Sequence, residues 1–501
     1  MMSRPRRYDL AIVGGGTAGL VAAFVAAALG ARVCLVERVA TGGDCLWTGC
    51  VPSKSLIAAA SRAQDMRRAS AVGLEPVEPA VDFARVMAHV RGARERIAPH
   101  DSPERLRASG VEVIEGDARF AGPGRLTVAG RTLAYRMALV ATGSSPLVPP
   151  VPGVDAARPL TTDTVWELDE LPRRLLVLGG GTVGCELGQA YARLGAEVTL
   201  VEPRESLLGA EEPEAKALVE RRLRDEGVDV RLGTEPVRVE AAAGDGSSGA
   251  GRAALQRSGG GASDEPEAFV EFDRVLVATG RRPDTAELGL ETVGVETDAG
   301  GAVVVDDRLR TTAAGVFAAG DVTGALPFTH VAAYHAKIAV ANALFRTRRR
   351  VSYAAVPRVT FTDPEVARVG LTEAEARERF GARAVVRVAE LSHLDRGICA
   401  GEEEGFAKLV GDPRGRLLGA TVVAPGAGEA IAEHAAWIDR GAKIDALSNI
   451  VHAYPTFAEL SSHAADDHMM AKLDGRVRAL SRSALGALRL VDRARRRRIR
   501  A

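Results

Sequence analysis

An α/β chain with two Rossmann-like nucleotide-binding domains followed by a C-terminal α+β domain is the predicted fold, and three observations predict it. Two turns of the form Gly-x-Gly-x-x-Gly each end an apolar strand and open a helix, at Gly14, Gly16 and Gly19 and again at Gly179, Gly181 and Gly184. The two segments stay in phase beyond the turns, each reaching an acid about 20 residues on. From Tyr353 onward the pattern changes to strands alternating with helices and carries no further glycine turn of that form.

The first repeat runs Tyr8 to Gly19 and the second Arg174 to Gly184. Gly30-Ala31 matches Gly195-Ala196, Val33 matches Val198, and Leu35-Val36-Glu37 matches Leu200-Val201-Glu202. Each copy reads as a βαβ unit. Its glycines make the tight turn and admit a pyrophosphate at the helix N-terminus. Glu37 and Glu202 then accept hydrogen bonds from ribose hydroxyls. One such turn is a weak signal; two in phase, each with its strand, helix and acid, are not coincidence. The alternative is that one copy is an empty, degenerate unit.

Between the repeats lies Gly42-Gly43-Asp44-Cys45-Leu46-Trp47-Thr48-Gly49-Cys50-Val51-Pro52-Ser53-Lys54. The spacing of Cys45 and Cys50 is about one helical turn, so both thiols can share a face and close a small disulfide. The glycines let backbone approach a flat ring. A helix starting here would stabilise a thiolate and lower its pKa. The reading is a redox-active pair beside a flavin. A metal site is the alternative, but no histidine lies nearby in sequence and no second cysteine pair exists, so no metal ligand is assigned. An inert structural bridge is the other.

Two buried-strand runs follow, Met137 to Ala141 and Val275 to Ala278. They close in the turns Thr142-Gly143 and Thr279-Gly280, whose Thr142, Gly143 and Gly280 join the cofactor-binding candidates. A third strand ends at Gly320-Asp321. Residues 241–263 are rich in Gly, Ser and Ala and read as a flexible hairpin extension without chemistry. In the last domain, Phe406 to Val410 and Leu417 to Val423 read as strands and Gly428 to Arg440 as a helix. The segment from Arg476 to Ala501 reads as a solvated, partly disordered extension. A basic amphipathic helix touching acidic membrane or nucleic acid is the second reading.

The 501 residues suffice for roughly three domains, and 46% apolar content fills their cores. Lys plus Arg and Asp plus Glu both number 65, which argues against a globally nucleic-acid-binding surface. Five cysteines in so long a chain are no secreted disulfide framework. The apolar run Ala18 to Leu29 is too short to span a bilayer. A cytoplasmic protein without stable membrane insertion is expected, in which a catalytic disulfide is reduced and re-formed in turnover.

With these motifs the chain resembles the class I pyridine nucleotide-disulfide oxidoreductases, the flavoproteins that include dihydrolipoamide dehydrogenase, glutathione reductase and mercuric reductase. The Cys-x4-Cys-Val-Pro-Ser-Lys run and its order relative to both glycine turns and the Ala319-Gly320-Asp321 motif carry the resemblance. It implies an FAD-binding domain in two parts (1–160 and 281–352), an NAD(P)-binding domain (161–280), an α+β dimerisation domain (353–475) and a homodimer; the basic tail (476–501) lies outside the resemblance. The first glycine turn would hold FAD, with Glu37 on the adenosine ribose and Asp321 at the ribityl and phosphate region. The second would hold the nicotinamide cofactor. Cys50 would be the charge-transfer thiolate nearest the flavin and Cys45 the interchange thiol facing substrate. Lys54 would sit near the flavin N5 and pair with Glu186.

Disulfide-reducing members carry His-Pro-Thr near the C-terminus, a histidine that the other subunit's thiol uses as acid–base, and a glutamate five residues later. Here the run is Val451-His452-Ala453-Tyr454-Pro455-Thr456-Phe457-Ala458-Glu459. Glu459 keeps its place, Tyr454 replaces the histidine, and His452 stands two residues earlier. In an extended segment residues two apart point the same way, so His452 is the candidate substitute, with a structural or surface histidine as the alternative. No cysteine follows Cys399, unlike the vicinal pair of mercuric reductases. The overall pattern looks most like the mercuric-reductase-like branch. Glu202 favours NAD(H) over NADP(H), with Arg204 softening that preference. The expected activity is transfer of electrons from NAD(P)H through FAD to Cys45–Cys50, then to a thiol or disulfide, a metal ion or another small acceptor. Dithiol oxidation with NAD+, a flavin-to-quinone diaphorase and a slow redox-sensing flavoprotein are the alternatives.

Overall fold

The computed structural model describes residues 7–241, 250–259, 268–473 and 475–499. The chain divides into two compact units, Met1–Gly209 with Val219–Ser352, and Ala210–Leu218 with Tyr353–Ala501.

In the first unit β1 (Arg7–Val13) turns into α1 (Thr17–Ala28) and returns as β2 (Val33–Glu37). The helices α2 (Gly43–Trp47), α3 (Cys50–Arg67), α4 (Phe83–Ile97) and α5 (Pro103–Ala108) lead to β3 (Val111–Glu115). With β4 (Arg119–Phe120), β5 (Arg125–Val128) and β6 (Arg131–Val140) these strands form a sheet ordered β3-β2-β1-β6-β5-β4. Its parallel centre is apolar along its length because helices and loops cover both faces. Leu10, Ile12, Cys34 and Leu35 are all fully buried. The short strand β7 (Ser144–Pro146) follows.

The second repeat copies the first. β8 (Arg174–Leu178), α6 (Thr182–Arg193) and β9 (Glu197–Glu202) are followed by α7 (Pro213–Asp225) and β10 (Asp229–Leu232). An antiparallel sheet of β11 (Thr234–Ala241), β12 (Gly251–Arg257) and β13 (Ala268–Phe272) intervenes before β14 (Arg274–Val277) completes the parallel order β10-β9-β8-β14. Then β15 (Arg281–Pro283) pairs with β7, β16 (Val316–Ala318) adds to β6, and α8 (Thr329–Phe345) closes the unit.

The second unit is built on the antiparallel sheet β17-β18-β21-β20-β19. Its elements are β17 (Pro357–Thr360), β18 (Glu365–Gly370), α9 (Glu373–Phe380), β19 (Val385–Glu390), α10 (Asp395–Ala400), β20 (Phe406–Gly411) and β21 (Leu417–Ala424). The helices α11 (Ala427–Asp439), α12 (Asp445–Ser448), α13 (Glu459–Lys472) and α14 (Gly475–Ile499) follow. Lys408 on β20 is buried, and its Nζ lies 3.2 Å from Glu212, 2.7 Å from Glu214 and 2.9 Å from Glu373. Arg368 Nε stands 2.8 Å from Glu211. These pairs tie the short segment Ala210–Leu218 into the second unit.

Much of the 241–263 extension (242–249 and 260–263) lies outside the described residues; on either side of 242–249, β11 and β12 pair antiparallel. β12 is the central strand of its sheet, and Ala253, Ala254 and Leu255 are buried. One expectation needs correction: the C-terminal segment is not an irregular extension, and through Ile499 it is the single helix α14. Arg500 and Ala501 lie outside the described residues.

Candidate active site

The two nucleotide-binding turns correspond residue for residue at an offset of 165 positions, as Gly14 and Gly179 show. Both have positive φ, +103° and +108°. A Cβ on Gly14 would lie 2.3 Å from the Ala141 carbonyl oxygen, and one on Gly179 2.6 Å from that of Ala278. A Cβ on Gly19 or Gly184 would come within 1.9 or 1.8 Å of the carbonyl oxygen of Gly14 or Gly179, so helix and strand pack this closely only with glycine. Gly16 and Gly181 differ. A Cβ on Gly181 would meet nothing within 4 Å, and one on Gly16 only Gly43 Cα at 3.8 Å. No intramolecular contact requires glycine at these two N-cap positions, and no side chain caps α1 or α6. A bare helix N-terminus with open space in front fits a pyrophosphate.

The acids repeat as well. Glu37 accepts from Gly15 N at 2.6 Å and Val39 N at 2.8 Å; Glu202 accepts from Gly180 N at 2.7 Å and Arg204 N at 3.0 Å. Each carboxylate is thus fixed at its strand end, with further lone pairs for ribose hydroxyls. Both cradles fit the pyrophosphate and ribose of a dinucleotide such as FAD or a nicotinamide cofactor.

The cysteine run is not one continuous helix. α2 carries Cys45 and stops at Trp47, and α3 begins at Cys50. The break is pinned from several sides. Gly49 N bonds to Asp44 O, Trp166 Nε1 to Thr48 O at 2.8 Å and Arg94 Nη1 to Trp47 O at 3.0 Å. Cys50 therefore occupies the first residue of an 18-residue helix, where the unsatisfied N–H groups favour negative charge. Thr329, the first residue of α8, places Oγ1 3.5 Å from Cys50 Sγ. Lys54 lies one turn further along α3, and its Nζ is 2.8 Å from Oε2 of the buried Glu186 on α6.

The two thiols influence each other and are polarised in opposite senses. The Cys45 thiol donating to Cys50, the Thr329 hydroxyl and the Lys54 ammonium together lower the exposed Cys50 to about 6. The same hydrogen bond, with burial, pushes Cys45 well above the usual thiol range. Cys34 and Cys185 are fully buried core residues, and burial pushes Cys34 up to about 12. Cys399 is exposed on α10.

A polar network not anticipated from the motifs surrounds this centre. Arg281 Nη2 bonds the Asp44 carboxylate, one residue before Cys45. Arg281 Nε donates to Ser144 Oγ at 2.8 Å, and Ser144 Oγ donates to Asp321 at 3.0 Å. Partial desolvation shifts Asp44 upward although its side chain is half exposed, and burial shifts Asp321 upward. A signal was present: Ala141-Thr-Gly-Ser-Ser-Pro146 and Ala278-Thr-Gly-Arg-Arg-Pro283 are a further repeat. Its copies pair antiparallel as β7 and β15. Thr142 Oγ1 donates to Asp284 O at 2.7 Å, and Thr279 Oγ1 donates to Leu147 O at 2.8 Å.

The C-terminal candidates lie in the second unit and do not form one group. His452 and Tyr454 do not share a direction. The His452 side chain is 9% exposed, with Nε2 3.1 Å from Glu433 Oε2. Tyr454 is 71% exposed and donates its hydroxyl to Asp395 at 2.6 Å, which raises its pKa above the usual phenol value. Glu459 meets neither ring, accepting from Thr456 N at 3.0 Å at the start of α13. The alternation rule fails because the segment is a set of turns and not a strand.

Two dinucleotide cradles and a polarised dithiol define a two-nucleotide thiol oxidoreductase. Residues 8–336 match the pyridine nucleotide-disulphide oxidoreductase family, and residues 356–465 match that family's dimerisation domain. The chain belongs to the pyridine nucleotide-disulphide oxidoreductases. It is 39% identical to a mercuric reductase of Streptomyces lividans over 93% of this chain and 97% of that protein. It is 38% identical to a dihydrolipoyl dehydrogenase of Thermus scotoductus, covering 92% and 97%. Among solved structures, the Cu(II) complex of the HOCl-induced flavoprotein disulfide reductase RclA from Escherichia coli aligns with TM-score 0.80 at 28% identity, covering 92% of this chain and 99% of that one. LpdA from Mycobacterium tuberculosis aligns with TM-score 0.82 at 29% identity, covering 91% and 99%. The protein is an FAD-dependent oxidoreductase acting on sulfur groups with NAD(P)H. Its dimerisation domain supports a homodimer. No helix among the described residues is long and apolar enough to cross a membrane.

Proposed function

We propose that the enzyme works reductively, taking electrons from NADH to the Cys45–Cys50 disulfide and passing them to a small disulfide or a thiol-reactive metal ion. What supports this reading is the asymmetry of the thiols, with Cys50 stabilised as the anion and Cys45 as the proton carrier. When bound, FAD supplies the two-electron relay between nicotinamide and sulfur. Balanced over a turnover, NADH, a proton and a disulfide yield NAD+ and two thiols, whereas NADH and a divalent mercuric ion yield NAD+, a proton and the elemental metal.

Glu202 holds the second glycine turn and accepts from an adenosine ribose hydroxyl, which selects NADH. The α1 N-terminus and Glu37 bind the FAD pyrophosphate and ribose, and Asp321 orients the ribityl region. Lys54, fixed by Glu186, keeps positive charge beside Cys50. Cys50 holds the negative charge after reduction, and Cys45 attacks the acceptor once its proton leaves. Arg281 anchors Asp44 and so fixes the Cys45 helix. Tyr454, supplied in the dimer by the other subunit, lines the acceptor pocket with its hydroxyl held on Asp395. A phenol of raised pKa is a poor base near neutrality, so oxidation of a dithiol with NAD+ is the disfavoured direction. We assign the enzyme to the cytoplasm, where thiols are kept reduced.

The test compares NADH oxidation by an aromatic disulfide and by mercuric chloride with NAD+ reduction by dihydrolipoamide. The reductive reactions should have the higher kcat/KM and vanish in Cys45→Ser, which should retain ferricyanide reduction. Faster dihydrolipoamide oxidation would reverse the assignment.

A further inference from the structure

The helix α14 begins beyond residue 465, where the family match ends, and the redox site does not account for it. Its 25 residues span about 37 Å. Leu480, Ala484, Leu488 and Val491 recur at helical spacing and share one face. These large apolar side chains are not covered: Leu480 is 72%, Leu488 59% and Val491 51% exposed. Arg478, Arg482, Arg489, Arg493 and Arg496 fall on the opposite face. From residue 476 onward the sequence holds ten arginines and one aspartate, although the whole chain has equal numbers of acidic and basic residues. The preceding chain therefore carries an excess of nine carboxylates, and the positive charge is concentrated on this helix.

We infer that α14 is a peripheral membrane-binding element that lies in the interface of an anionic bilayer. The charge pattern selects an anionic partner, and the apolar stripe selects one with an interior. A nucleic acid would neutralise the arginines but leave the leucines in water. A second copy of the helix would cover the leucines but leave the arginines, on the opposite face, without an anionic partner. An anionic lipid surface satisfies both faces, with the stripe among the acyl chains and the arginines at the headgroups. The helix lies on the membrane and does not span it, since it is too polar to cross.

The test is co-sedimentation of the full-length FAD-loaded enzyme with phosphatidylglycerol–phosphatidylcholine vesicles and with phosphatidylcholine alone. Binding should need phosphatidylglycerol and weaken with added salt. It should fall at least tenfold both in Leu480→Glu/Leu488→Glu and in Arg489→Gln/Arg493→Gln. NADH–ferricyanide activity should be unchanged in both variants, which separates this test from the acceptor assignment. No binding, or equal binding to neutral vesicles, overturns the inference. So does full binding by the leucine variant, which would leave charge alone as the cause and point to a nucleic acid.

Discussion

Lys54 Nζ and Glu186 Oε2 stand 2.8 Å apart and join the helix that carries Cys50 to the first helix of the second nucleotide repeat. The pair places a cation one turn from the thiol that must hold negative charge, and the buried carboxylate keeps that cation in place. Replacing Lys54 with Met should therefore raise the Cys50 pKa and slow NADH-dependent disulfide reduction on the order of tenfold, the change that one pKa unit represents. Lys54→Arg should restore part of both. The pH profile of iodoacetamide alkylation of the reduced enzyme reads the first effect, and an identical profile in Lys54→Met would show that the lysine does not tune the thiol.

The pH dependence of the dithiol has a definite sign. Cys50 is lowered to about 6, so its thiolate persists at neutral pH and is lost as pH falls through about 6. An ordinary thiol becomes protonated nearer pH 8.5. Alkylation of the wild-type dithiol should stay rapid from pH 8 to about 6.5 and then decline. In Cys50→Ser the remaining Cys45 should react slowly at pH 7, because the low-pKa member is gone. Rapid alkylation of that variant at neutral pH would reverse the assignment of the two thiols.

Nicotinamide selection should follow Glu202, which accepts from Gly180 N and Arg204 N. Glu202→Ala is expected to weaken both cofactors, but NADH more. The NADH to NADPH ratio of kcat/KM should fall on the order of tenfold, about 1.4 kcal/mol. Steady-state kinetics with both cofactors decide it; an unchanged ratio would place selectivity elsewhere, with Arg204 the next residue to test.

Tyr454 stands at the place of the family's histidine and is bound to Asp395. Tyr454→His should raise the rate of dihydrolipoamide oxidation by NAD+ at least about tenfold, since general-base catalysis typically contributes a hundredfold or more. A flat response would mean that the loss of the histidine is not what limits that direction.

Lys408 tests the second unit's stability. Lys408→Ala would leave Glu212 buried without its cation and should cost about 3–5 kcal/mol. Lys408→Ala/Glu212→Ala should recover part of that loss. Urea unfolding monitored by circular dichroism provides the comparison, and equal stability of Lys408→Ala and wild type would show the cluster to be energetically idle.

The nucleotide cradles were legible in the sequence because their parts are local. Gly14, Gly16, Gly19 and Glu37 sit within one βαβ unit, and the second unit spells the same pattern at Gly179, Gly181, Gly184 and Glu202. Steric exclusion at Gly19 and Gly184 requires the same residue each time, so spacing alone carries the information. The dithiol loop was legible for the same reason.

Tertiary structure decided what spacing could not. The helix break at Thr48-Gly49, which puts Cys50 at a helix N-terminus, depends on Trp166 and Arg94 from distant segments. Thr329 reaches Cys50 across 279 residues, and Arg281 reaches Asp44 across 237. The directions of His452 and Tyr454 were likewise set by partners, Glu433 and Asp395, on other helices. Local sequence determined which backbone shapes and chemical groups this protein has. Long-range packing determined which groups face one another and therefore their charge, because hydrogen bonds and desolvation act through space and not along the chain.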